Sequence, residues 1–437
     1  MSEIPLNLSE GDVLSLVSPK GESMYFEVSG VLGEGGGGVV YASVTDDGRP
    51  AVVKAPRWIG RRDAGIAREA RLLQRLPGHP NLIELLGVQQ DPRGHELLVL
   101  ERAFPNPLDV LSRPEVRARL DPRQDPGGRY APVPVPLALE LAFELAAALE
   151  HLHDHKLVHC DVKPDNLMVR LDLSDPEPSE HEYFKQLARG AWRGVLIDLG
   201  GARTFKELRD ASAGVRGAPL PAVTPVYAPP EVLPGAYDPE SGRERSRFSP
   251  WMDTYAFGLT VYQLLTGAAP YAHLAAEHQL GGAERPLAEV AAVKREERDG
   301  AFLPLAKAEV EAIDWSDVTL HDDPQGRYRD RRAIVERVWE LLARTVHYEP
   351  SRRGTMKRMR EDLSELLGIT AAAPSPEVSP AVARPWTQGR LVLDSFASRL
   401  VQAGRDGSLP KAELKKIRRG SEDFWEMQGF KPTDRGE

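Results

Sequence analysis

The pattern of apolar residues changes near residue 104, and this change constrains the fold more than any single motif. Residues 24–56 alternate short β-branched runs with glycines, and the sequence DDGRP between two of these runs is typical of a hairpin turn. A helical pattern at 63–76 follows, and then two strand-like stretches that end before residue 104. Beyond that point the pattern is mainly helical. We therefore expect an α+β protein with two lobes: a small antiparallel sheet with one helix, and a larger, mainly helical lobe.

The chain is too long for one compact core. Its 437 residues exceed the roughly 250–300 residues at which single cores stop growing. We expect an N-terminal extension (1–23), a two-lobed domain (24–370, with lobes of 24–103 and 104–370), a Pro- and Ala-rich linker (371–386) and a short helical tail (387–437). The helices of the larger lobe are predicted at 137–153, 251–266, 286–297, 307–313 and 331–347.

Composition excludes several classes of protein. A formal charge of -9 argues against a nucleic-acid binder, which carries a basic excess on at least one domain. One cysteine cannot form an internal disulfide and favours a reducing compartment, so we expect a cytoplasmic location. The sequence has no run of about 18 apolar residues and no export signal at its start, so we expect neither a membrane span nor a leader.

Three glycines, Gly33, Gly35 and Gly38, have the spacing G-x-G-x-x-G, and Val40 lies two residues beyond them. The spacing alone is a weak signal, because a glycine-rich turn that only joins two strands gives the same pattern. A dinucleotide-binding fingerprint leads from a strand into a helix, whereas strands are predicted on both sides of these glycines. A glycine loop between two strands allows the backbone to approach phosphate groups closely.

The segment HCDVKPDN, residues 159–166, resembles the catalytic loop H-R-D-x-K-P-x-N of Ser/Thr protein kinases. The resemblance to this family, in its eukaryotic-like and probable bacterial form, extends over residues 24–367. Its other matches follow in the family's order: Lys54 ending a strand, Glu69 on the next helix, DLG at 198–200 for D-F-G, PPE at 229–231 for A-P-E, Asp253 and Gly258 in one helix, and Arg353. This late arginine resembles the one that in the family pairs with the A-P-E glutamate, here Glu231.

This resemblance implies an enzyme that transfers the γ-phosphoryl group of ATP to Ser or Thr hydroxyls of protein substrates, and possible autophosphorylation. Asp161 would be the catalytic base, Lys163 and Lys54 would stabilise phosphoryl charge, and Glu69 would position Lys54. Asn166 and Asp198 would bind Mg²⁺. The residues implied to bind ATP are Gly33, Gly35, Gly38, Val40, Lys54, Glu101 and Ala103. Thr224, expected to bond near Asp161 and Lys163, favours Ser/Thr over Tyr specificity.

The sequence departs from the family pattern at several positions. Cys160 replaces the arginine that in most members pairs with a phosphorylated activation-loop residue, so we predict activity that does not depend on such phosphorylation. We expect Cys160 itself to be a small, half-buried apolar residue with no redox role. Gly37 stands where many relatives have an aromatic residue, which predicts a weaker hold on ATP. Thr204 and Ser212 are either autophosphorylation sites or solvated loop residues.

Two insertions, 105–136 and 171–193, are expected on the surface, and these or the tail are candidate partner-binding segments. The tail contains half of a calcium-loop pattern, Gly407 and Glu413, without its first ligands, so we prefer a basic helix there. Two alternatives to a protein kinase stay open. A small-molecule kinase shares the lobes and the H-x-D loop but usually lacks the A-P-E segment, and a pseudokinase scaffold typically loses a nucleotide or metal residue, whereas this sequence keeps them all.

Overall fold

The structure of the chain is a computed structural model. The described residues are 4–5, 8–17, 23–35, 38–46, 48–56, 58–59, 64–90, 96–113, 133–171, 180–188, 192–233, 237–238, 243–244, 246–271, 304–313, 315 and 330–367. The predicted helix at 286–297, the linker 371–386, the tail 387–437 with its Gly407 and Glu413, and Gly37 lie outside these residues.

The first lobe is built on a six-stranded antiparallel sheet. Its strands lie in the order β2-β3-β4-β5-β8-β7. Strands β1 and β6 form a separate two-stranded sheet. Alternate residues of the central strands face a core that contains Phe26, Tyr41 and Val53. The strands are β1 (Ile4–Pro5), β2 (Val13–Val17), β3 (Ser23–Gly35), β4 (Gly38–Thr45), β5 (Pro50–Ala55), β6 (Trp58–Ile59), β7 (Leu85–Gln90) and β8 (Glu96–Glu101).

One strand of this sheet lies before the predicted start of the lobe. Strand β2 pairs with β3 from Val13, opposite Glu27, to Val17, opposite Ser23, and Leu14 is buried in the sheet core. The division of the chain at residue 23 stays a prediction, but part of the segment assigned to the extension belongs to the sheet.

Helix α1 (Ala64–Arg75) matches the helix predicted at 63–76 and packs against the sheet. Ile66 and Ala70 are buried with Leu98 and Leu100 of β8, and Glu69 lies on the same inward face. The helix therefore presents a carboxylate to the end of the sheet where β5 carries Lys54.

The second lobe is mainly helical, as predicted. Its helices are α2 (Pro107–Leu111), α3 (Val135–Asp154), α4 (Glu180–Ala188), α5 (Phe205–Ser212), α6 (Trp251–Thr266), α7 (Lys307–Glu311), α8 (Arg331–Thr345) and α9 (Met356–Leu366). Short strands complete it: β9 (Phe104–Pro105), β10 (Leu157–Val158), β11 (Leu167–Leu171), β12 (Trp192–Leu196), β13 (Arg203–Thr204), β14 (Tyr237–Asp238) and β15 (Arg243–Glu244). Helices α3 and α6 lie at the centre of its core, and α6 approaches α8 so closely that a Cβ on Gly258 would collide with Thr345.

The prediction that both insertions lie on the surface is wrong for their described parts. Helix α2 buries Leu108, Val110 and Leu111, and helix α4 buries Tyr183 and Leu187 against the core of the second lobe. The physical reason is local: Tyr183 and Leu187 are four residues apart and form one apolar face, which has to pack. Within the described ranges, no helix combines the length and apolar character that crossing a bilayer demands.

Candidate functional site

A cavity of about 1170 Å³ lies between the two lobes, which exceeds the usual volume of a small-molecule pocket. It is lined by residues of the glycine loop, β5, α1, the segment after β8 and the loop that contains residues 159–166. Of the residues predicted to act in the site, Gly33, Gly38, Val40, Lys54, Glu69, Glu101, Ala103, Lys163, Asn166 and Asp198 line it. Gly35 pairs with Gly38 at the end of the β3–β4 hairpin, and Asp161 lies beside the cavity in contact with Asn166.

Lys54 joins carboxylates from both lobes. Its Nζ lies 2.7 Å from Oε2 of Glu69 and 2.7 Å from Oδ1 of Asp198. Glu69 is 1% exposed, and its other oxygen accepts a hydrogen bond of 3.2 Å from the N–H of Leu199. One buried carboxylate therefore fixes both the lysine and the backbone next to Asp198, so the three groups depend on each other for their positions.

The charges of this group stabilise each other. Burial alone would lower the pKa of Lys54, but the two carboxylates raise it above its usual value. Burial would raise the pKa of Asp198, yet Lys54 holds it below the ordinary value. Asp198 also has a left-handed backbone, with φ of 64°, and its side chain is 38% exposed. A charged carboxylate thus faces the cavity, which is the group a divalent metal requires.

The segment 159–166 brings Asp161 and Lys163 together with Thr224, 61 residues from Lys163 in sequence. The Thr224 hydroxyl donates to Oδ1 of Asp161 at 2.6 Å and accepts from Nζ of Lys163 at 2.9 Å. Lys163 Nζ also lies 2.9 Å from Oδ2 of Asp161, and Asn166 donates to the main-chain oxygen of Asp161 at 2.7 Å. The predicted contact of Thr224 with both residues is confirmed, and the Asp161 carboxylate is held in one orientation at the cavity edge.

Asp253, at the start of α6, supports this loop from below. Its carboxylate accepts the N–H groups of His159 and Cys160, at 2.8 and 2.9 Å, and bonds to Nε2 of His153 at 2.9 Å. The aspartate is 1% exposed. The sequence places Asp253 in the family pattern but does not predict what it does. The available signal was an acidic residue in the first turn of an otherwise apolar helix, because buried charges are rare unless paired.

Cys160 fills a small apolar space, as expected, but is fully rather than half buried. Burial raises the pKa of its thiol well above the ordinary value, and Sγ lies 3.4 Å from the main-chain oxygen of Val158. Around the thiol lie apolar side chains from α6 and from residues 198–231, here called the activation segment, among them Leu208, Ala228 and Met252. The position that holds an arginine in the resembling family is therefore part of an apolar cluster.

The hydroxyls of Thr204 and Ser212 are engaged in the structure. Thr204 caps the N-terminus of α5 by accepting from the N–H of Glu207. Ser212, the last residue of α5, accepts from the N–H of Phe248 at 2.7 Å. Neither residue is a freely solvated loop residue, because both hydroxyls bond at the ends of a helix that the sequence did not predict, and autophosphorylation there stays a prediction.

Glu231 and Arg353 form the predicted pair. Arg353 is completely buried, and its Nη1 and Nη2 donate to the two Glu231 oxygens at 2.6 and 2.9 Å. The guanidinium also stacks over the ring of Tyr255, with 4.9 Å from its carbon to the ring centre. This pair ties the segment after Thr224 to the turn at 350–352.

The cavity fits a nucleotide with a divalent metal. At Gly33 a side chain would meet nothing within 4 Å, so the glycine leaves space above the cavity. Val40 and Ala103 provide apolar lining, and Lys54 with Asp198 and Asn166 provides charge and oxygen ligands. The Glu101 carboxylate is bound to Arg170 and its N–H donates to the main-chain oxygen of Glu84 at 3.1 Å, which leaves its main-chain oxygen for a ligand. Among the described residues, no three His, Cys, Asp or Glu side chains form a metal site unaided, so phosphate oxygens would have to complete the ligand set.

Comparison with known proteins agrees with this geometry. The sequence model of the family "Protein kinase domain" matches residues 26–362. The chain is 29% identical over 243 residues to serine/threonine-protein kinase PknK of Mycobacterium tuberculosis, which is 55% of this chain and 17% of PknK. It is 29% identical over 252 residues to serine/threonine-protein kinase pkn2 of Myxococcus xanthus, or 56% of this chain and 25% of that protein. The match to serine/threonine-protein kinase D2 of Rattus norvegicus is 28% over 247 residues, 55% of this chain and 22% of the relative.

These relatives are much longer than the part that aligns, since the chain spans a quarter of their length or less. The similarity therefore concerns the two-lobed region and not the other parts of the relatives. The family match covers most of the chain, and the fold has the expected sheet lobe, helical lobe and cleft. On this evidence the chain belongs to the protein kinase family.

Proposed function

We propose that the chain is a protein Ser/Thr kinase that transfers the γ-phosphoryl group of ATP to hydroxyls of protein substrates. The observation that carries this proposal is Lys54, which is bound at once by Glu69 of the first lobe and Asp198 of the second. Lys54 can contact both carboxylates only when the two lobes and α1 are correctly placed around the cavity. A scaffold that no longer performs transfer would not need this arrangement.

In this proposal the nucleotide lies between Val40 and Ala103, under the glycine loop of Gly33, Gly35 and Gly38. Glu101 and Ala103 bind it through their main chain, and Asn166 and Asp198 hold Mg²⁺. When bound, ATP with Mg²⁺ supplies the phosphoryl group and the metal charge that offsets its negative oxygens.

The residues of the chain itself bind, orient and move a proton. Asp161 orients the substrate hydroxyl and accepts its proton, because its carboxylate is fixed by Thr224 and Lys163 at the cavity edge. Lys163 and Lys54 place positive charge where phosphoryl oxygens gain negative charge. Glu69 keeps Lys54 in position.

Several finer features belong to the same proposal. A peptide substrate is favoured over a small molecule because the Glu231–Arg353 pair fixes the segment that follows Thr224. Autophosphorylation at Thr204 or Ser212 would first require α5 to open, since both hydroxyls are bound. The division into extension, two-lobed domain, linker and tail, partner binding through the insertions or tail, and a cytoplasmic location remain proposals.

The test is phosphate transfer by the purified full chain, with the products identified by mass spectrometry. Wild type, Asp161→Asn and Asp198→Asn are compared with the control Asp154→Asn, an exposed residue at the end of α3. The acceptors are a generic basic protein, an aminoglycoside and choline. Phosphoserine or phosphothreonine made by wild type and the control alone supports the proposal. Transfer only to a small molecule, or ATP-dependent thermal stabilisation without any transfer, would replace it with one of the alternatives.

A further inference from the structure

Arg68 precedes Glu69 on α1, and its side chain points to the segment that follows Asp198. Its Nε donates to the main-chain oxygen of Ala202 at 2.6 Å, and its Nη2 lies 2.5 Å from Oε2 of Glu207. Adjacent residues of α1 therefore bind different parts of the second lobe and of the sheet. Glu69 binds Lys54 and the backbone of Leu199. Arg68 binds the backbone of Ala202, four residues after Asp198, and Glu207 in the first turn of α5.

Glu207 is itself fixed in place. The same oxygen, Oε2, accepts the N–H of Thr204 at 2.8 Å and its hydroxyl at 2.9 Å, which is one half of a capping box at the start of α5. Burial alone would raise the pKa of Glu207, but the bonds from Arg68 and Thr204 lower it. The carboxylate is thus charged near neutral pH, and three donors converge on one of its oxygens.

Helix α5 transmits this position to the catalytic loop. Leu208, next to Glu207, is buried in the apolar cluster that contains Val158 and Cys160. The other end of the helix is bound through Ser212 to Phe248. Cys160 immediately precedes Asp161. A series of contacts therefore connects Glu69 and Arg68 on α1, through Glu207 and α5, to the loop that carries the proposed base.

A second arginine lies beside this link and does not compete for the carboxylate. Arg203 donates to the main-chain oxygens of Gly201 and Ala202 and, at 3.0 Å, to that of Leu220. Burial and the nearby charge of Arg68 lower its pKa. Arg68 and Arg203 therefore both face the start of the activation segment. The carboxylate that binds Arg68 is the side chain of Glu207.

We propose that Arg68 and Glu207 are positioning residues, and that the Glu207 carboxylate is a permanent anion that orders α1 and the activation segment without phosphorylation. The inference rests on the proposed kinase activity and names the groups that regulate the same site. The ion pair is partly exposed, at 21% and 27% for the two side chains, so its effect on global stability is small. Its effect on the reaction is larger, because misplacing α1 displaces Lys54.

The test is a double-mutant cycle in the full chain, made with a co-expressed phosphatase and shown by intact mass to carry no phosphate. Glu207→Gln removes the charge but keeps an oxygen for the N–H of Thr204, so it separates the ion pair from the capping box. Arg68→Met removes the other partner. Matched controls are Asp210→Asn, the same kind of change on α5, and Arg71→Met, one turn along α1.

We expect unphosphorylated wild type to be active, and each single variant to lose about tenfold in kcat while KM for ATP and the melting temperature stay near wild type. The double variant should be no slower than Arg68→Met alone, because that change already removes the ion pair that Glu207→Gln removes, together with the bond to Ala202. Hydrogen exchange of the amides at 205–212 should be faster in the three variants and unchanged in the controls.

Additive losses in the double variant, or a Glu207→Gln protein that behaves like Asp210→Asn, would overturn the inference. So would a wild type that becomes active only after phosphate is added to the activation segment. If the wild type transfers no phosphate under any condition, the proposed function has failed. Hydrogen exchange then decides alone: faster and non-additive exchange supports the link between the two residues, and unchanged exchange refutes it.

Discussion

Of Gly33 and Gly38, the two loop glycines whose surroundings the structure describes, Gly38 is the one where the backbone itself excludes a side chain. Its φ is +118°, and a Cβ would collide with the main-chain oxygen of Ala55 on the neighbouring strand. Gly33, five residues earlier, has open space around the equivalent position. Two glycines of one motif therefore differ in their surroundings: Gly38 permits close strand packing, whereas Gly33 has open space around it and lines the cavity.

We predict that Gly38→Ala destabilises the first lobe by roughly 1–3 kcal/mol, since it forces an unfavourable φ and a backbone clash. Affinity for ATP should fall with it. Gly33→Ala serves as the control and should leave the free energy of unfolding nearly unchanged. Urea unfolding and ATP titration check both variants. Equal unfolding midpoints for the two alanine variants would contradict the packing explanation.

Residues at short spacing could be grouped from the sequence itself, whereas contacts between distant residues could be predicted only where the family resemblance supplied them, as for Glu231 with Arg353. Asp161, Lys163 and Asn166 lie within six residues, so their grouping in one loop follows from the sequence. The contacts of Arg68 with Glu207, 139 residues later, have no local pattern that reveals them. The same holds for Asp253, which binds backbone groups 93 and 94 residues away.

At the scale of elements, α4 turns an insertion into part of the core. Tyr183 donates a hydrogen bond of 2.7 Å to the main-chain oxygen of Pro105, just after the residues that connect the lobes. Leu187 lies one turn further on the same face and is buried in the core of the second lobe. The segment was expected on the surface because it is a long insertion in which the sequence predicted no helix.

We predict that Leu187→Ala destabilises the chain by about 2–5 kcal/mol, because it removes buried methyl groups and leaves a cavity. The control is Lys185→Ala on the same helix, whose ammonium group bonds to Glu182 one turn earlier, and its effect should stay within about 1 kcal/mol. Chemical denaturation measures both. A loss no larger for Leu187→Ala than for the control would mean that α4 does not carry core packing.

The Glu231–Arg353 pair joins two elements of the second lobe, and breaking it should be costly. Arg353→Met leaves the Glu231 carboxylate without its partner, so we predict a loss of about 3–5 kcal/mol in the free energy of unfolding. Arg352→Met, an adjacent but exposed position, is the matched control and should have little effect. Thermal unfolding distinguishes them, and similar melting temperatures for the two variants would refute the prediction.

On the scale of the whole molecule, histidines connect the loop after α1 to the end of α3 in the second lobe. His79 stacks on His151 with ring centres 4.6 Å apart, and His151 lies 4.4 Å from His155. Burial lowers the pKa of His79 to about 4, and the nearby His151, Arg193, Arg360 and His155 add to this effect. The neutral form is thus the one that the fold accepts.

Acid should therefore destabilise the folded chain at His79. The folded pKa of His79 lies below its ordinary value of 6.5, so folding opposes protonation, and stability present above pH 6.5 is lost as the pH falls toward about 4. His79→Asn keeps an acceptor for the N–H of Asn81 and should flatten this loss. The control, His347→Asn, removes a histidine outside this cluster that accepts the corresponding bond from the N–H of Glu349. Unfolding midpoints between pH 7 and 4.5 test this, and parallel curves for wild type and His79→Asn would contradict it.

The two-lobed architecture could be predicted because the apolar period changes from two to 3.6 residues near residue 104. The central helices were located within about two residues, and α6 coincides with its predicted range. Strand β2 was missed, because an isolated five-residue strand becomes stable only when it pairs with β3. Pairing and burial of short segments are decided by the tertiary fold and not by local sequence.

We propose that this cleft performs phosphoryl transfer with Asp161 as the base. The most direct measurement is single-turnover transfer of labelled γ-phosphoryl to a Ser/Thr protein substrate by the unphosphorylated full chain, comparing wild type, Asp161→Asn and Asp154→Asn. We predict rapid transfer by wild type and Asp154→Asn, and a rate at least about 100-fold lower for Asp161→Asn, with ATP binding retained. Equal rates for wild type and Asp161→Asn would contradict the account.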